Sequence, residues 1–286
     1  MSRLDIHKTY KLYIGGKFPR TESGRYYSVH DKKGKVIANM CLSSRKDFRN
    51  AIVIARKVQR SWASVSALNK GQILYRIAEM LEGRKEQFIA ELYRQGESKA
   101  NAEKEVNMAI DRLVYYAGWS DKYQQLFSSV NPVVSSHFNF SVLEPVGVVA
   151  IIAPENQGLL GLVSLIAPAI VGGNTVVILA SESKPLSAIS FAEVLNSSDV
   201  PGGVVNILTG NVDELHSHMA SHMDVNAVVY CGKNEDVITQ INELASNNLK
   251  QTIFYKKNDW MNASCESPYF IEKTQEIKTI WHPTEI

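Results

Sequence analysis

Residues 146–255 constrain the fold most, because short apolar runs alternate there with longer helical segments. The apolar runs predict strands at 146–153, 175–179, 204–208, 226–231 and 251–255. Between them, helices are predicted at 157–171, 186–196, 212–221 and 235–247. Strands that are apolar throughout are buried on both faces, which requires helices on both sides of a parallel sheet. The sequence therefore predicts an α/β fold with a doubly wound parallel sheet.

The N-terminal part predicts one hairpin and three amphipathic helices. Residues 10–18 form the hairpin, with Gly15-Gly16 as its turn. The first helix begins near Ser44, with Asp47 as a capping-box partner. A single stripe of apolar residues from 73 to 92 indicates the second helix, and the third begins near residue 100.

Two further segments alternate with the period of a strand. Phe138, Phe140 and Val142 alternate with polar residues until Glu144-Pro145, where the strand is expected to break. Residues 272–283 alternate again, and the polar segment 256–267 is predicted to be a loop.

Composition excludes several classes of protein. Apolar residues make up 45% and charged residues 21%, which is typical of a soluble globular chain of 286 residues. A net charge of +2 gives no general reason to expect nucleic acid or an anionic membrane as a partner. The longest apolar run is too short to span a bilayer, and the first ten residues do not form a signal peptide. Three widely spaced cysteines indicate a reducing compartment, so we expect a cytoplasmic protein.

Three segments carry a resemblance to a known family. They read FNFSVLEPVGVVAIIAPENQGLL, IAPAIVGGNTVVILASESKPLSA and DVPGGVVNILTG, within residues 138–210. This succession resembles the cofactor-binding half of the aldehyde dehydrogenase superfamily, and most of all the catalytically defective second repeat of two-repeat members. The resemblance implies a Rossmann-like NAD(P)-binding domain and a small β oligomerisation element. With Ile286 as the last residue, it also implies that the catalytic domain is absent.

The resemblance divides the chain into four parts. Residues 1–131 correspond to the N-terminal hairpin and helices, and residues 132–147 to oligomerisation strands. Residues 148–256 correspond to the cofactor-binding core. Residues 257–286 correspond to a loop and a C-terminal strand that pairs with a neighbouring subunit in the family; an ordinary edge strand is the alternative.

The family oxidises aldehydes with a cysteine nucleophile, a glutamate base, an oxyanion-binding asparagine and a nicotinamide cofactor. Asn156 takes the asparagine position, but Glu155 places a carboxylate beside it. Asn156 could instead cap the following helix. Tyr255 stands at the position of the glutamate and is a poor base at neutral pH. Cys231 and Cys265 have no evident activating partner and are expected to be ordinary thiols.

The cofactor-binding positions are partly kept. The resemblance assigns Glu182 to the ribose, with a solvated side chain as the alternative. It assigns Gly210 and Gly232 to the close approach of a cofactor. Lys233 replaces a small serine and could hold a phosphate or fill the pocket. The departures at other positions, Leu179 for a lysine and Val212 for a glycine, imply that NAD or NADP binding is weak or lost.

A histidine group offers a competing metal site. His216, His218 and His222 lie in one short segment, and His218 and His222 would share a helix face. Two such histidines can ligate zinc, but no glutamate or cysteine accompanies them in the usual motif. We expect a solvated helix face and no metal.

These observations favour a non-catalytic subunit that assembles with a full-length aldehyde dehydrogenase, with itself, or with both. Two alternatives stay open. One is an NAD(P)-dependent oxidoreductase that acts on aldehydes alone, and the other is a sensor that binds NAD(P) without turnover.

Overall fold

The computed structural model describes residues 7–284. The strands are β1 (Thr9–Tyr10), β2 (Tyr26–His30), β3 (Val36–Cys41), β4 (Ser129–Asn131), β5 (His137–Pro145), β6 (Val148–Ile152), β7 (Thr175–Leu179), β8 (Val205–Leu208), β9 (Ala227–Tyr230), β10 (Gln251–Phe254) and β11 (Gln275–Pro283). The α-helices are α1 (Arg45–Ala63), α2 (Ala67–Glu82), α3 (Lys85–Arg94), α4 (Lys99–Trp119), α5 (Tyr123–Phe127), α6 (Gly158–Val171), α7 (Leu186–Asn196), α8 (Val212–Ser221), α9 (Glu235–Ala245) and α10 (Tyr269–Glu272).

Five parallel strands form the central sheet in the order β10-β9-β6-β7-β8, so the predicted α/β fold is confirmed. Side chains of β6 alternate between two cores. Val148, Ala150 and Ile152 pack in the cluster that contains α1, α8 and α9. Val149 and Ile151 face the cluster built from α2, α4, α6 and α7. Helices therefore cover both faces of the sheet, as a doubly wound fold requires.

Strand β6 is where the chain reverses direction across the sheet. It pairs with β7 on one side and with β9 on the other. The connections from β6 run first through β7 to β8 and then return to β9 and β10. Such a switch point leaves a crevice at the carboxyl ends of the central strands, where open α/β folds bind their ligands.

The N-terminal predictions had mixed outcomes. The capping box of Ser44 and Asp47 is present at the start of α1. The Gly15-Gly16 turn is also present, with both glycines at positive φ. The stripe from 73 to 92 is not one helix, because α2 ends at Glu82 with Gly83, a weak helix former, as its C-cap, and α3 begins at Lys85. The β2–β3 hairpin was not predicted.

A second sheet is antiparallel and has the order β11-β5-β4. Its register joins Gln275 to Pro145 and Pro283 to His137, so β5 continues through Glu144-Pro145 instead of breaking there. Residues 255–274 connect the two sheets, and their only regular structure is a 3-10 turn and α10.

Buried contacts hold this connecting segment against the helices. Trp260 is 1% exposed, and the Arg112 guanidinium of α4 donates to its carbonyl at 3.1 Å. Arg112 also donates to Ser164 Oγ on α6 at 2.6 Å. Within residues 7–284, no helix has the length and apolar character needed to cross a membrane.

Candidate cofactor and active-site cleft

A cleft of about 660 Å³ lies at the carboxyl ends of β6, β9 and β10. Three loops line it: residues 154–157 after β6, residues 231–233 after β9 and residues 255–260 after β10. It brings together four of the predicted residues, Asn156, Gly232, Lys233 and Tyr255. Glu182 and Gly210 follow β7 and β8 and lie outside its lining.

Asn156 is exposed and does not cap α6. The N-cap residue is Gln157, which has a φ of 56° and makes no side-chain cap, so the predicted capping role is wrong. Two partners from the connecting segment hold Gln157 in this left-handed conformation. Its amide donates to Asp259 Oδ1, and its Oε1 accepts from the Trp260 amide. The position leaves Asn156 free to meet a ligand, which is compatible with its predicted oxyanion role.

The first amides of α6 are capped by a side chain from another helix. Glu105 Oε1, on α4, accepts from the amides of Leu159 and Leu160 at 2.9 and 3.2 Å. Burial raises the pKa of Glu105, while these two hydrogen bonds favour its ionised form. The helix N-terminus, which could otherwise attract an anionic ligand, is therefore already occupied by a carboxylate of the chain.

The Glu155 side chain, from the loop after β6, accepts hydrogen bonds from the loop after β7 in a similar way. Its carboxylate accepts from the amides of Glu182 and Ser183 at 3.1 and 3.0 Å. It also accepts from the hydroxyls of Ser181 and Ser183 at 2.9 and 2.7 Å. Four donors thus converge on one carboxylate directly before α7. We call this arrangement the Glu155 clamp.

Glu182 lies in an acidic environment. Its two carboxylate oxygens are each 3.3 Å from the Asn211 amide nitrogen. Burial raises the pKa of Glu182, and the neighbouring carboxylates of Glu155, Asp213 and Glu214 raise it further. An anionic group that approached this loop would meet the same carboxylates.

The predicted glycines are packed against protein atoms. A Cβ on Gly210 would lie 3.2 Å from the Ser43 amide nitrogen, so this glycine permits close approach of the N-terminal segment. A Cβ on Gly232 would lie 2.2 Å from the Tyr230 phenol oxygen. The Tyr230 ring therefore packs against Gly232, which the resemblance assigns to the cofactor site. Lys233 is exposed at the rim of the cleft.

Tyr255, at the base position, and Cys265 are buried, whereas Cys231 is half-buried and lines the cleft. Tyr255 stacks on Phe270 with ring centroids 5.2 Å apart and meets the Trp260 ring edge-on. Burial raises the pKa of Tyr255, so its phenol stays protonated at neutral pH. Burial also raises the pKa of the Cys231 thiol. Cys265 donates to the Asp259 carbonyl at 3.3 Å.

The three histidines do not converge. His216 has both ring nitrogens in hydrogen bonds, to the Val212 carbonyl and the Gln240 side chain, each at 2.9 Å. His222 meets the Phe48 ring edge-on. Within the part of the chain that the structure describes, no three His, Cys, Asp or Glu side chains form a group suited to a metal ion.

Sequence reasoning missed the roles of Glu105, Gln157 and Glu155. Glu155 was visible only as an unusual charge beside Asn156, and the donors that it accepts from lie on the next strand–helix loop. Glu105 sits on the buried stripe of α4, where a carboxylate at an apolar position was the available signal.

Comparisons with known proteins identify the family of the chain. A model of the aldehyde dehydrogenase family matches residues 18–255. Mouse cytosolic 10-formyltetrahydrofolate dehydrogenase is 32% identical over 241 residues, covering 82% of this chain and 27% of the relative. An aldehyde dehydrogenase from Aspergillus niger is 32% identical, covering 84% of this chain and 48% of the relative.

Solved structures show the same fold. The PnpE protein of Pseudomonas sp. WBC-3 superposes with a TM-score of 0.82 at 27% identity, over 87% of this chain and 51% of that one. An aldehyde dehydrogenase from Bacillus cereus, solved in complex with NAD⁺, gives a TM-score of 0.80 over 86% of this chain and 50% of that one. At 24% identity, it supports the shared fold alone. The chain spans half or less of these curated relatives. Sequence and fold together show that the chain belongs to the aldehyde dehydrogenase family.

Proposed function

We propose that this chain is a non-catalytic aldehyde dehydrogenase-family subunit of the cytoplasm, which binds NAD(P) weakly or not at all. We infer that it assembles with a full-length aldehyde dehydrogenase, with itself, or with both. The Glu155 clamp is the observation that carries the proposal, because it fills the loop to which the family resemblance assigns the cofactor ribose.

The clamp opposes cofactor binding in two ways. It uses the amides and hydroxyls of residues 181–183, so a ligand must displace a carboxylate to reach them. It also adds a second negative charge next to Glu182. The two carboxylates would repel the pyrophosphate of a dinucleotide. Two like charges about 4 Å apart repel by roughly 1 kcal/mol in water and about 4 kcal/mol near a protein surface. Repulsion of this size weakens binding roughly fivefold to a thousandfold.

Burial of the candidate reactive groups supports the absence of catalysis. The phenol of Tyr255 cannot act as a base at neutral pH while its pKa is raised by burial. The Cys231 thiol is disfavoured as a thiolate for the same reason. Cys265 is a buried residue of the connecting segment itself, and its thiol donates to a backbone carbonyl.

The antiparallel sheet supports assembly with a partner. Its exposed apolar side chains include Phe138 at 47%, Ile277 at 70% and Trp281 at 57% exposure. Strand β11 is also an edge strand, paired with β5 on one side only. Exposed edges and apolar patches are the features that protein interfaces cover.

The cofactor part of the proposal is tested by calorimetric titration with NAD⁺. For the wild-type chain we expect a Kd above about 1 mM, because the negatively charged pyrophosphate must approach the Glu155 carboxylate. Glu155→Ala should bind NAD⁺ at least tenfold more tightly, because it frees four donors and removes a charge. The matched control is Glu103→Ala, which removes an exposed carboxylate on α4 and should leave the Kd for NAD⁺ unchanged. Micromolar binding by the wild-type chain, unaffected by Glu155→Ala, would refute the clamp.

The subunit part is tested by gentle purification from the native host and native mass spectrometry. We expect a defined complex with a full-length aldehyde dehydrogenase or a defined homo-oligomer. A monomer in both the extract and the purified sample would contradict assembly. Aldehyde-dependent NADH production by the purified chain alone, abolished by Cys265→Ala or Cys231→Ala, would instead establish an independent oxidoreductase.

A further inference from the structure

A second cavity, also of about 660 Å³, lies among N-terminal elements and shares no residue with the cleft described above. Three segments line it: residues 7–10 around β1, the turn and strand residues 31–37, and residues 93–98 between α3 and α4. Its volume is in the range of small-molecule sites. Neither the family resemblance nor the proposed function assigns it a role.

The β2–β3 turn displays its lysines on a fixed backbone. Asp31 Oδ1 accepts from the amides of Lys33 and Lys35 at 2.8 and 2.9 Å. The hydrogen bond from the Lys35 amide has the largest effect on the pKa of Asp31 and lowers it, and the hydrogen bond from the Lys33 amide lowers it further. The Asp31 carboxylate therefore stays ionised. Gly34 closes the turn with a φ of 77°. The Asp31 carboxylate is thus engaged by its own turn.

Positive charge dominates the lining. Five lysine and arginine side chains and two carboxylates face the cavity, with His7 beside them. The second carboxylate, Glu97, forms an ion pair with Lys184. Lys8 contacts Glu193 at 3.4 Å, and Arg94 donates to the Ile37 carbonyl. Lys32 and Lys33 have no carboxylate at ion-pair distance among residues 7–284.

One of the exposed cations is held against the wall of the cavity. The stem of Lys32 packs on Gly96, where a Cβ would lie 3.0 Å from Lys32 Cε. Ser98 also lines the cavity and is the N-cap of α4, so the positive end of a long helix faces the same space. Tyr93, which is 60% exposed, adds an aromatic surface.

We propose that this cavity binds a small molecule that carries a pyrophosphate group, of the size of a nucleoside diphosphate. Lys32, Lys33 and Arg94 supply the positive charge for the phosphates, since lysine and arginine are the usual phosphate ligands in proteins. The Tyr93 ring provides a face on which a base can stack. The occupant is thus recognised by charge first and by an aromatic contact second.

The test is calorimetric titration with pyrophosphate and with ADP, in moderate salt. We expect binding by the wild-type chain and a loss of at least tenfold per cation removed in Lys32→Gln/Lys33→Gln. The control Lys57→Gln/Lys104→Gln removes the same charge from exposed helix positions and should bind as the wild type does. Equal loss in both double variants, or no binding of either probe by the wild-type chain, would overturn the proposal.

Two further arms identify the ligand. Tighter binding of ADP than of pyrophosphate, lost in Tyr93→Ala, supports a nucleotide; equal binding supports a plain pyrophosphate ligand at the same site. Tighter binding of a single-stranded oligonucleotide than of either probe would overturn the small-molecule assignment. Because NAD⁺ also contains a pyrophosphate, its titration is repeated in Lys32→Gln/Lys33→Gln, where any remaining binding belongs to the cleft.

Discussion

Replacing Glu105 tests whether a carboxylate from α4 holds the first turn of α6. The side chain is 1% exposed, and its Oε1 accepts from the amides of Leu159 and Leu160. In Glu105→Leu, both buried amides lose their acceptor, and each unsatisfied group costs about 1–3 kcal/mol. Removing a buried carboxylate offsets part of this loss. We expect a net destabilisation of roughly 2–4 kcal/mol.

Glu105→Gln is the matched variant, because its amide oxygen can accept the same hydrogen bonds without a charge. Its cost should stay below about 1 kcal/mol at neutral pH. The folded state raises the pKa of Glu105, so it keeps a proton that the unfolded chain releases. Stability from this group is therefore full below the unfolded pKa and falls as pH rises through the folded pKa. The advantage of wild type over Glu105→Gln should consequently be larger at pH 4 than at pH 7.

Urea unfolding followed by tryptophan fluorescence measures these differences. For a chain of this length, the loss in Glu105→Leu corresponds to a fall in Tm of roughly 2 °C per kcal/mol. If the Leu and Gln variants are equally destabilised, side-chain packing and not hydrogen bonding determines the effect. A loss below about 1 kcal/mol in Glu105→Leu would also refute the capping argument.

Three further predictions concern other parts of the fold. Arg112→Met should cost about 2–4 kcal/mol and speed tryptic cleavage after Lys256, because the guanidinium holds the Trp260 carbonyl; an unchanged cleavage rate would contradict this. Burial raises the pKa of Tyr10 to about 12, so the folded chain keeps a proton that the unfolded chain loses above pH 10, and stability should fall from pH 10 to 12. A difference titration against Tyr10→Phe that shows an ordinary phenol would refute it. Gly232→Ala should cost about 1–3 kcal/mol through its collision with the Tyr230 ring, and less in a Tyr230→Ala background; equal costs in both backgrounds would exclude the collision.

The strands and helices of the central sheet were predictable because their signals are local. An apolar run, or a capping box such as that of Ser44 and Asp47, depends only on residues close together in the sequence. Strand β7 and helices α7 and α8 accordingly have the predicted bounds. The site was less predictable, because its geometry depends on distant contacts. Asn156 was expected to cap α6, but Asp259 and Trp260, about a hundred residues away, hold Gln157 at the cap position instead. The break at Gly83 was missed because an apolar stripe continues across it.

At the carboxyl edge of the sheet, side chains of the protein accept hydrogen bonds from the backbone amides of α6 and of the loop before α7. This arrangement has a measurable consequence for ligand binding. Helix N-termini and turn amides at such an edge are commonly satisfied by a bound phosphate. Here Glu105 accepts from the first amides of α6 and Glu155 accepts from the loop before α7, so these donors do not need a ligand as their acceptor.

We therefore expect 5 mM NAD⁺ to stabilise the Lys32→Gln/Lys33→Gln chain by less than about 1 kcal/mol against urea, as ligand linkage gives for a Kd above about 1 mM. Adding Glu155→Ala should make the stabilisation larger, because the loop donors then lack an internal acceptor. A ligand with a Kd of about 10 μM would instead stabilise the chain by roughly 3–4 kcal/mol. A shift of that size in the presence of Glu155 would mean that the carboxylate yields readily to the cofactor and that the cleft is a working NAD⁺ site.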